Sequence, residues 1–362
     1  MGLSTLKRNM WRRIFDGVEE RKRHHYDRME ARKAARFEAH ILKQRPENQV
    51  TSKIERLIRD YAGDMLGGQR FAPWLRTYAT SHGEFREGWL PNNFFGHVIR
   101  PRFGPTGTLA DAKSMARRLM RTDLLPDLVS RVRGCWRDRD GVPITSDEAR
   151  EIAFDGRDQV VIKHDNSQNA RDVTTVDAAE FDTAVAATDV DFVVQERLRH
   201  DPFYDKWNTE AVTTLRMITF KPYGEPARLR WADMRISKSG KDVVLVSNSY
   251  RCPIDIWTGH LRGFGFDPNM HRFEVHADTG EPFGTDPVPA FAAMRSQLEA
   301  LHDRLPHPPM IAWDMITDHT GQPKMMEWNT GHIGVVFPES MAGPILPELS
   351  DKNWQMTGTA TH

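Results

Sequence analysis

Apolar positions recur at helical spacing in some stretches of this 362-residue chain and alternate or run together in others. Leu6, Met10, Ile14 and Val18 fall three to four residues apart, with Trp11 and Phe15 beside the stripe. This predicts a helix over 5–43. Its 19–43 portion is polar nearly all round, so the first 45 or so residues read as a solvated helix with few core contacts. A second helix is expected over 54–66, ended by Gly67-Gly68. Residues 69–108 hold Phe71, Trp74, Tyr78, Phe85, Trp89, Phe94 and Phe95 among turn formers, which suits a packed connection of short helices and irregular chain. Further helices are expected over 111–120, 124–132, 177–187 and 287–304, the last with Pro287 in its first turn. Apolar and β-branched runs predict strands over 159–163, 192–195, 213–220, 227–236, 243–247, 311–316 and 324–328. Strands and helices interleave without a strict βαβ rhythm. The expectation is an α+β chain with two subdomains, no internal repeat, and a loosely ordered tail after about residue 345.

The last two strands carry the most chemistry. Between them, Asp318, His319, Thr320 and Gly321 supply turn residues, so 311–328 reads as a β-hairpin. Glu327 and Asn329 are two apart and share a face of an extended strand. A turn centred on Thr320-Gly321 sets Glu327 opposite Asp314. Two carboxylates and an amide then converge. Like charges so close call for a cation or a shared proton, and oxygen-only ligation suits Mg²⁺ or Mn²⁺. The same spacing also describes an amphipathic hairpin with polar groups facing water. Elsewhere, Lys163 ends an apolar strand, which delivers an ammonium from a rigid edge. Arg216 sits between Leu215 and Met217 and so shares a face with Thr214 and Ile218. A buried-strand arginine needs an anion, either a nearby carboxylate or a phosphate held in bidentate fashion.

The order and spacing of these stretches resemble the ATP-grasp enzymes, in particular the sugar-transfer-associated ATP-grasp branch. WDMITDHTGQPKMMEWNTG (313–331) resembles the terminal metal-binding hairpin. VVQERLRHDPFYDKWNTEAVTTLRMITF (193–220) and VHADTGEPFG (275–284) extend the likeness. It covers about 190–335 well and 105–190 more faintly; residues 1–100 carry no motif that can be placed. The resemblance implies an ATP-grasp fold of two α+β subdomains with nucleotide bound between them, behind a helical N-terminal region. The expected divisions are a charged helical region over 1–66, a connecting region over 67–108, a small subdomain over 109–195, a large subdomain over 196–345 and a tail over 346–362.

Carried over residue by residue, the resemblance makes Asp314, Glu327 and Asn329 the metal ligands. Lys163 becomes the phosphate-contacting lysine, and Lys113 the earlier lysine opening a helix beside the α-phosphate. Gln195 and Glu196 match the hinge whose backbone binds the adenine edge, and Asp201 and Asp205 are alternative ribose partners. Arg216, with Arg235 as a second candidate, would face the transferred phosphoryl or acyl group. Where the family has a glycine-rich phosphate loop, this chain reads HDNSQNARDV, with no glycine between Gly156 and Gly224. Asn166 and Asn169 tolerate left-handed backbone, and the Ser167 and Asn169 side chains are hydrogen-bond donors. Asn248 matches a family asparagine, but the glycine pair expected after it is replaced by Arg251-Cys252. His276 also matches, as a substrate contact or a packing residue.

Charge and composition narrow the classes. Lys plus Arg and Asp plus Glu are each 50, which argues against a dedicated nucleic-acid binder. Residues 1–60 hold 16 basic against 9 acidic side chains. A basic amphipathic start of this kind suits a membrane surface or a partner, though a helix capping the enzyme's own surface is favoured. Two distant cysteines, Cys135 and Cys252, make neither a disulfide framework nor a zinc site and fit a reducing cytoplasm. No apolar run reaches membrane-spanning length, so no stable insertion is expected. The leading reading is a cytoplasmic, Mg²⁺- and ATP-dependent ligase joining a small-molecule carboxylate to an amine through an acyl-phosphate. The rivals are a kinase of the same fold and a nucleotide-binding protein without turnover.

Overall fold

The computed structural model describes residues 3–167, 173–207, 210–238 and 248–350, with side chains from residue 17 onward. The strand expected at 243–247 and the candidate loop residue Asn169 lie outside the described residues. The helices are α1 (Leu3–Gln44), α2 (Ser52–Asp60), α3 (Ala72–His82), α4 (Asn92–Phe94), α5 (Ala116–Met120), α6 (Ser146–Phe154), α7 (Phe181–Ala186), α8 (Phe291–Arg304) and α9 (Val336–Met341). The strands are β1 (Asp127–Val132), β2 (Cys135–Asp138), β3 (Gln159–His164), β4 (Val173–Asp177), β5 (Phe192–Glu196), β6 (Thr214–Phe220), β7 (Arg228–Ser237), β8 (Ser249–Pro253), β9 (Gly265–Phe266), β10 (Arg272–Phe273), β11 (Met310–Thr317) and β12 (Pro323–Asn329). Two compact units emerge, one of residues 1–102, 269–271 and 334–362, the other of residues 103–268 and 272–333. None of the described helices is long and apolar enough to cross a membrane.

The first unit is helical. Ala34, Phe37 and Ile41 repeat at three and four residues, so one face of the C-terminal half of α1 is buried. Glu30 accepts hydrogen bonds there from the Trp74 indole (2.8 Å) and the Asn92 amide (2.7 Å). This corrects the expectation that the first 45 residues contribute few core contacts: a stripe of only three apolar side chains, with a buried carboxylate a turn earlier, is enough to dock the helix. Thr51 caps α2 by accepting from the Ile54 amide. Trp74, Tyr78 and Trp89 form an aromatic core, with Phe71 edge-on to Phe94. Glu339 is fully buried and accepts from the Leu90 and Ile345 amides; burial pushes its carboxyl up to about 8. Leu346 and Leu349 are also buried, so the chain stays ordered through Ser350, beyond the expected end at 345.

The second unit holds two antiparallel sheets. The smaller has the order β2-β1-β5-β3-β4 and the larger β10-β9-β8-β7-β6-β11-β12. A cluster around Trp136, Phe181 and Phe192 fills the small sheet's core, and one around Trp207, Trp313 and Trp328 the larger's. The helix expected over 124–132 is instead strand β1. Arg133 (φ 51°) and Gly134 (φ 77°) form a two-residue turn that joins β1 to β2, with Val132 opposite Cys135. Positive φ at both central positions is the geometry that matches hairpin twist, and it overrides the helical spacing of the leucines. The helix expected over 111–120 shrinks to a turn at Lys113–Met115 and α5. Helix α8 starts at Phe291, so Pro287 lies before its first turn.

Under α8, a buried polar chain ties helix to sheet. The Trp313 indole donates to Thr219 Oγ1 (2.9 Å), which lies 2.7 Å from His302 Nδ1, and His302 Nε2 lies 2.9 Å from the Pro308 carbonyl. Because Nε2 faces an acceptor, it carries the proton and Nδ1 accepts from Thr219. The ring is therefore neutral, and burial pushes its pKa down to about 4.

Candidate functional site

Strands β11 and β12 pair with Asp314 opposite Glu327 and Ala312 opposite Asn329. The turn that fixes this register is built by Asp318, whose Oδ1 accepts from Thr320 N, Thr320 Oγ1 and Gln322 N, with Gly321 at φ 78°. The register then slips, because Met315 faces Met325. Met326 is thus the extra residue of a β-bulge. Asn329 Nδ2 lies 3.4 Å from Asp314 Oδ2, so the amide and both carboxylates share one spot. Burial, and then the charge of Asp314, push the Glu327 carboxyl up.

Across the sheet, Arg216 grips Asp314 in bidentate fashion, Nε to Oδ1 at 2.7 Å and Nη2 to Oδ2 at 3.0 Å. Arg235 Nη1 lies 3.7 Å from the same Oδ1, and its Nε 3.3 Å from Asp233 Oδ2. Arg216 faces Asp233 in the β6–β7 register. A transverse row thus crosses four strands: Glu327, Asp314, Arg216 and Asp233. Both alternatives open for Arg216 meet here, since its carboxylate partner is itself a candidate metal ligand. An ionised carboxylate has about four lone-pair directions, so Asp314 can serve a guanidinium and a cation together.

The small sheet supplies cations from the other side. Strand β3 carries Lys163, whose ammonium donates to the carbonyl of the bulged Met326 at 2.9 Å. Burial lowers the Lys163 pKa, while Glu327 pulls it back up. Lys113 Nζ lies 3.8 Å from Glu327 and donates to the Ser167 carbonyl at 2.9 Å. The start of the loop after β3, residues 165–167, is stapled without glycine. Asp165 accepts from Ser114 N (2.8 Å) and Ser114 Oγ (2.6 Å), and Asn166 N donates to the Asp111 carbonyl. Asn166 takes left-handed backbone, φ 57°. The Ser167 hydroxyl is committed to the His164 carbonyl at 2.8 Å.

The hinge candidates are locally engaged. Gln195 is buried and donates to Asp127 Oδ1 at 2.7 Å, and the Glu196 amide bonds the Pro126 carbonyl. Asp201 caps the short Pro202–Tyr204 turn by accepting from Phe203 N at 2.9 Å. Asp205 lies 3.0 Å from His200 Nε2. Asp314, Glu327, Asn329, Arg216, Arg235, Lys163 and Lys113 are therefore brought together, whereas Gln195, Glu196, Asp201 and Asp205 are held by other neighbours. His276 is fully buried against Tyr250 and bonds its own turn at Thr279, so it packs. Sequence reasoning passed over Asp127, Asp165 and Asp233. A carboxylate inside the apolar run of β7, between Ala232 and Met234, was a signal for Asp233.

The model of the sugar-transfer associated ATP-grasp family matches residues 140–350. Among solved structures, biotin carboxylase from Campylobacter jejuni, crystallised as a β,γ-ATP complex, is similar at 10% identity and a TM-score of 0.46. That match covers 75% of this chain and 52% of the other, so the chain spans about half the length of that enzyme. D-alanyl-alanine synthetase A from Vibrio cholerae O1 biovar eltor is similar at 12% identity and a TM-score of 0.40, over 71% of this chain and 67% of the other. The D-Ala:D-Ser ligase VanG from Enterococcus faecalis shows 13% identity and a TM-score of 0.38, over 62% and 53%. No curated protein sequence matches the chain.

Proposed function

Because this chain belongs to the sugar-transfer associated ATP-grasp family and has its fold, we propose that it is a Mg²⁺-ATP-dependent carboxylate–amine ligase. The observation that carries this reading is the convergence of Asp314, Glu327 and Asn329 on one hairpin facing Lys163 and Lys113. The donor set is oxygen only, and Glu327 is held up by burial and a second carboxylate, a tension that a divalent cation relieves. The residues present therefore fit Mg²⁺. Asp314, Glu327 and Asn329 would hold it, and it would neutralise charge on the phosphate oxygens.

The chain's own groups do the rest. Lys163 from β3 and Lys113 from the Lys113–Met115 turn bind and orient the phosphates. Arg216, held by Asp314 and with Nη1 directed to the His332 and Ile333 carbonyls, places its fixed positive charge beside the group being transferred, and a preorganised cation there stabilises developing charge. A substrate carboxylate oxygen bonds to the γ-phosphorus as ADP leaves. The amine nitrogen then bonds to the acyl carbon, phosphate departs and the amine proton is released. The described start of the loop that follows β3, residues 165–167, is positioned without glycine by Asp165 and the left-handed Asn166, which supports this segment as the start of the phosphate side.

The test is ADP release with Mg²⁺-ATP and pooled acids and amines, followed by mass spectrometry and by hydroxylamine trapping. An amide product and a hydroxamate are expected. A stable phosphorylated alcohol without hydroxamate would replace the ligase reading with a kinase.

A further inference from the structure

The carboxylates of the β11–β12 hairpin are already matched by cationic side chains of this chain. Arg216 holds Asp314 through both oxygens, and Arg235 Nη1 stands 3.7 Å from one of them. Lys113 Nζ lies 3.8 Å from Glu327 Oε1, and the Lys163 ammonium sits on the carbonyl of Met326, the residue before Glu327. Lys113, Lys163, Arg216 and Arg235 thus face Asp314, Glu327 and Asp233, the last paired with Arg235. The next carboxylate toward Lys163 is Asp127, which accepts from the Gln195 amide. With Asp127 counted, the cluster is neutral, so a bare divalent cation would leave it strongly positive. Uncompensated charge is costly where water is scarce, and the Lys113, Arg216 and Asp314 side chains are 10%, 12% and 15% exposed. Glu327 is the open member, with 39% of its side chain exposed. Lys113 is also the most loosely committed cation. Its hydrogen bonds go to the Ser167 carbonyl (2.9 Å) and hydroxyl (3.2 Å), both neutral acceptors, and a charged phosphate oxygen is a stronger one.

We propose that Lys113 stands in for the metal's charge at Glu327, so that nucleotide phosphate must draw this ammonium away before the hairpin takes a divalent cation. Nucleotide then binds first, or the metal arrives on its phosphates, and a bare cation is turned away. A triphosphate brings the negative charge that lets the cluster accept a metal, and it gives Lys113 a charged acceptor in place of Glu327. Metal and nucleotide therefore bind cooperatively, each raising the affinity of the other by the same factor. The inference rests on the proposed metal site at Asp314, Glu327 and Asn329 and adds the order in which its ligands assemble.

The test uses full-length protein, calorimetry and the electron paramagnetic resonance signal of Mn²⁺. Wild type should bind ATP in the presence of EDTA and bind Mn²⁺ saturably in the presence of ADP. It should hold Mn²⁺ alone more weakly, by roughly tenfold or more. Lys113→Gln removes the charge but keeps a donor for the Ser167 carbonyl. That variant should bind Mn²⁺ alone more tightly, by roughly threefold or more, while metal-free ATP weakens by roughly tenfold. A merely structural role would lower both affinities together. Adding Glu327→Gln should erase the gain for Mn²⁺, and Lys113→Arg should keep the wild-type order. Equal Mn²⁺ affinity with and without ADP in the wild type, or loss of both ligands by a folded Lys113→Gln, overturns the proposal and leaves the metal site in place. Failure of Mn²⁺ to bind even with ADP removes the metal site, and the proposal with it. If Lys113→Gln does not fold, the wild-type comparison decides alone.

Discussion

Asp314 and Glu327 stand side by side, yet removing their charges should have very unequal effects on stability. Asp314 neutralises Arg216 through two hydrogen bonds of 2.7 and 3.0 Å, and both side chains are mostly buried, at 12% and 15% exposed. It also lies 3.7 Å from Arg235. Asp314→Asn keeps the shape but leaves two buried guanidinium groups without their shared countercharge. Breaking a buried pair from one side costs about 3–5 kcal/mol. Glu327→Gln instead removes the like-charge partner of Asp314. Its carboxyl is already pushed up by burial and by Asp314, so the folded state gains or loses at most about 1 kcal/mol. Urea unfolding of both variants at pH 7, with unchanged m-values, reads this contrast as a large fall in midpoint for Asp314→Asn and almost none for Glu327→Gln. Both should lose the Mg²⁺-dependent stabilisation by ATP, expected at roughly 2–4 kcal/mol well above the dissociation constant. Equal stability losses in the two variants would refute the assignment of Asp314 as the shared anchor.

Lys163→Met should abolish the Mg²⁺-ATP response while costing about 1–3 kcal/mol for the stranded Met326 carbonyl, as thermal shift and urea titration would reveal. His302, with its folded pKa near 4 against an ordinary 6.5, takes up its proton only on unfolding in that window; stability should hold above pH 6.5 and fall by about 3 kcal/mol as the pH drops toward 4, and flat urea midpoints across that range would contradict the buried network. Glu339 has the reverse sign: its carboxyl is raised from 4.5 to about 8, so its contribution is present below pH 4.5 and lost as pH rises toward 8, and Glu339→Gln should flatten that slope in the same titration. Deleting residues 1–44 should expose the apolar face that Ala34, Phe37 and Ile41 cover and yield an aggregating or dye-binding protein; a monomeric product with native helix content would argue otherwise.

The β11–β12 hairpin was readable because its determinants are local. Turn chemistry at Asp318–Gly321 and period-two alternation suffice to place Glu327 against Asp314. The left-handed Asn166 was readable for the same reason, since residue type alone favours it there. Strand β1 was not, because Leu124, Leu125 and Leu128 imitate a helix and the deciding feature is the Arg133-Gly134 turn. The α1 contacts were missed because most of that helix is charged and only one narrow stripe is buried. Asp201 and Asp205 matched a motif by position, but whether a carboxylate caps a turn or pairs with a histidine depends on neighbours that spacing does not specify.

The bulge at Met326 has a mechanical side. It turns one carbonyl of the hairpin toward Lys163, so a strand of the five-stranded sheet is moored to the edge of the seven-stranded sheet by one charge-assisted hydrogen bond. A phosphate oxygen that takes over the ammonium would cast off that mooring as it binds. The swap exchanges one hydrogen bond for another and leaves the lysine's charge satisfied throughout. On the proposed function, freedom of the two sheets to shift would be gated by the arrival of an anion, with the trigger and the brake residing in the same side chain.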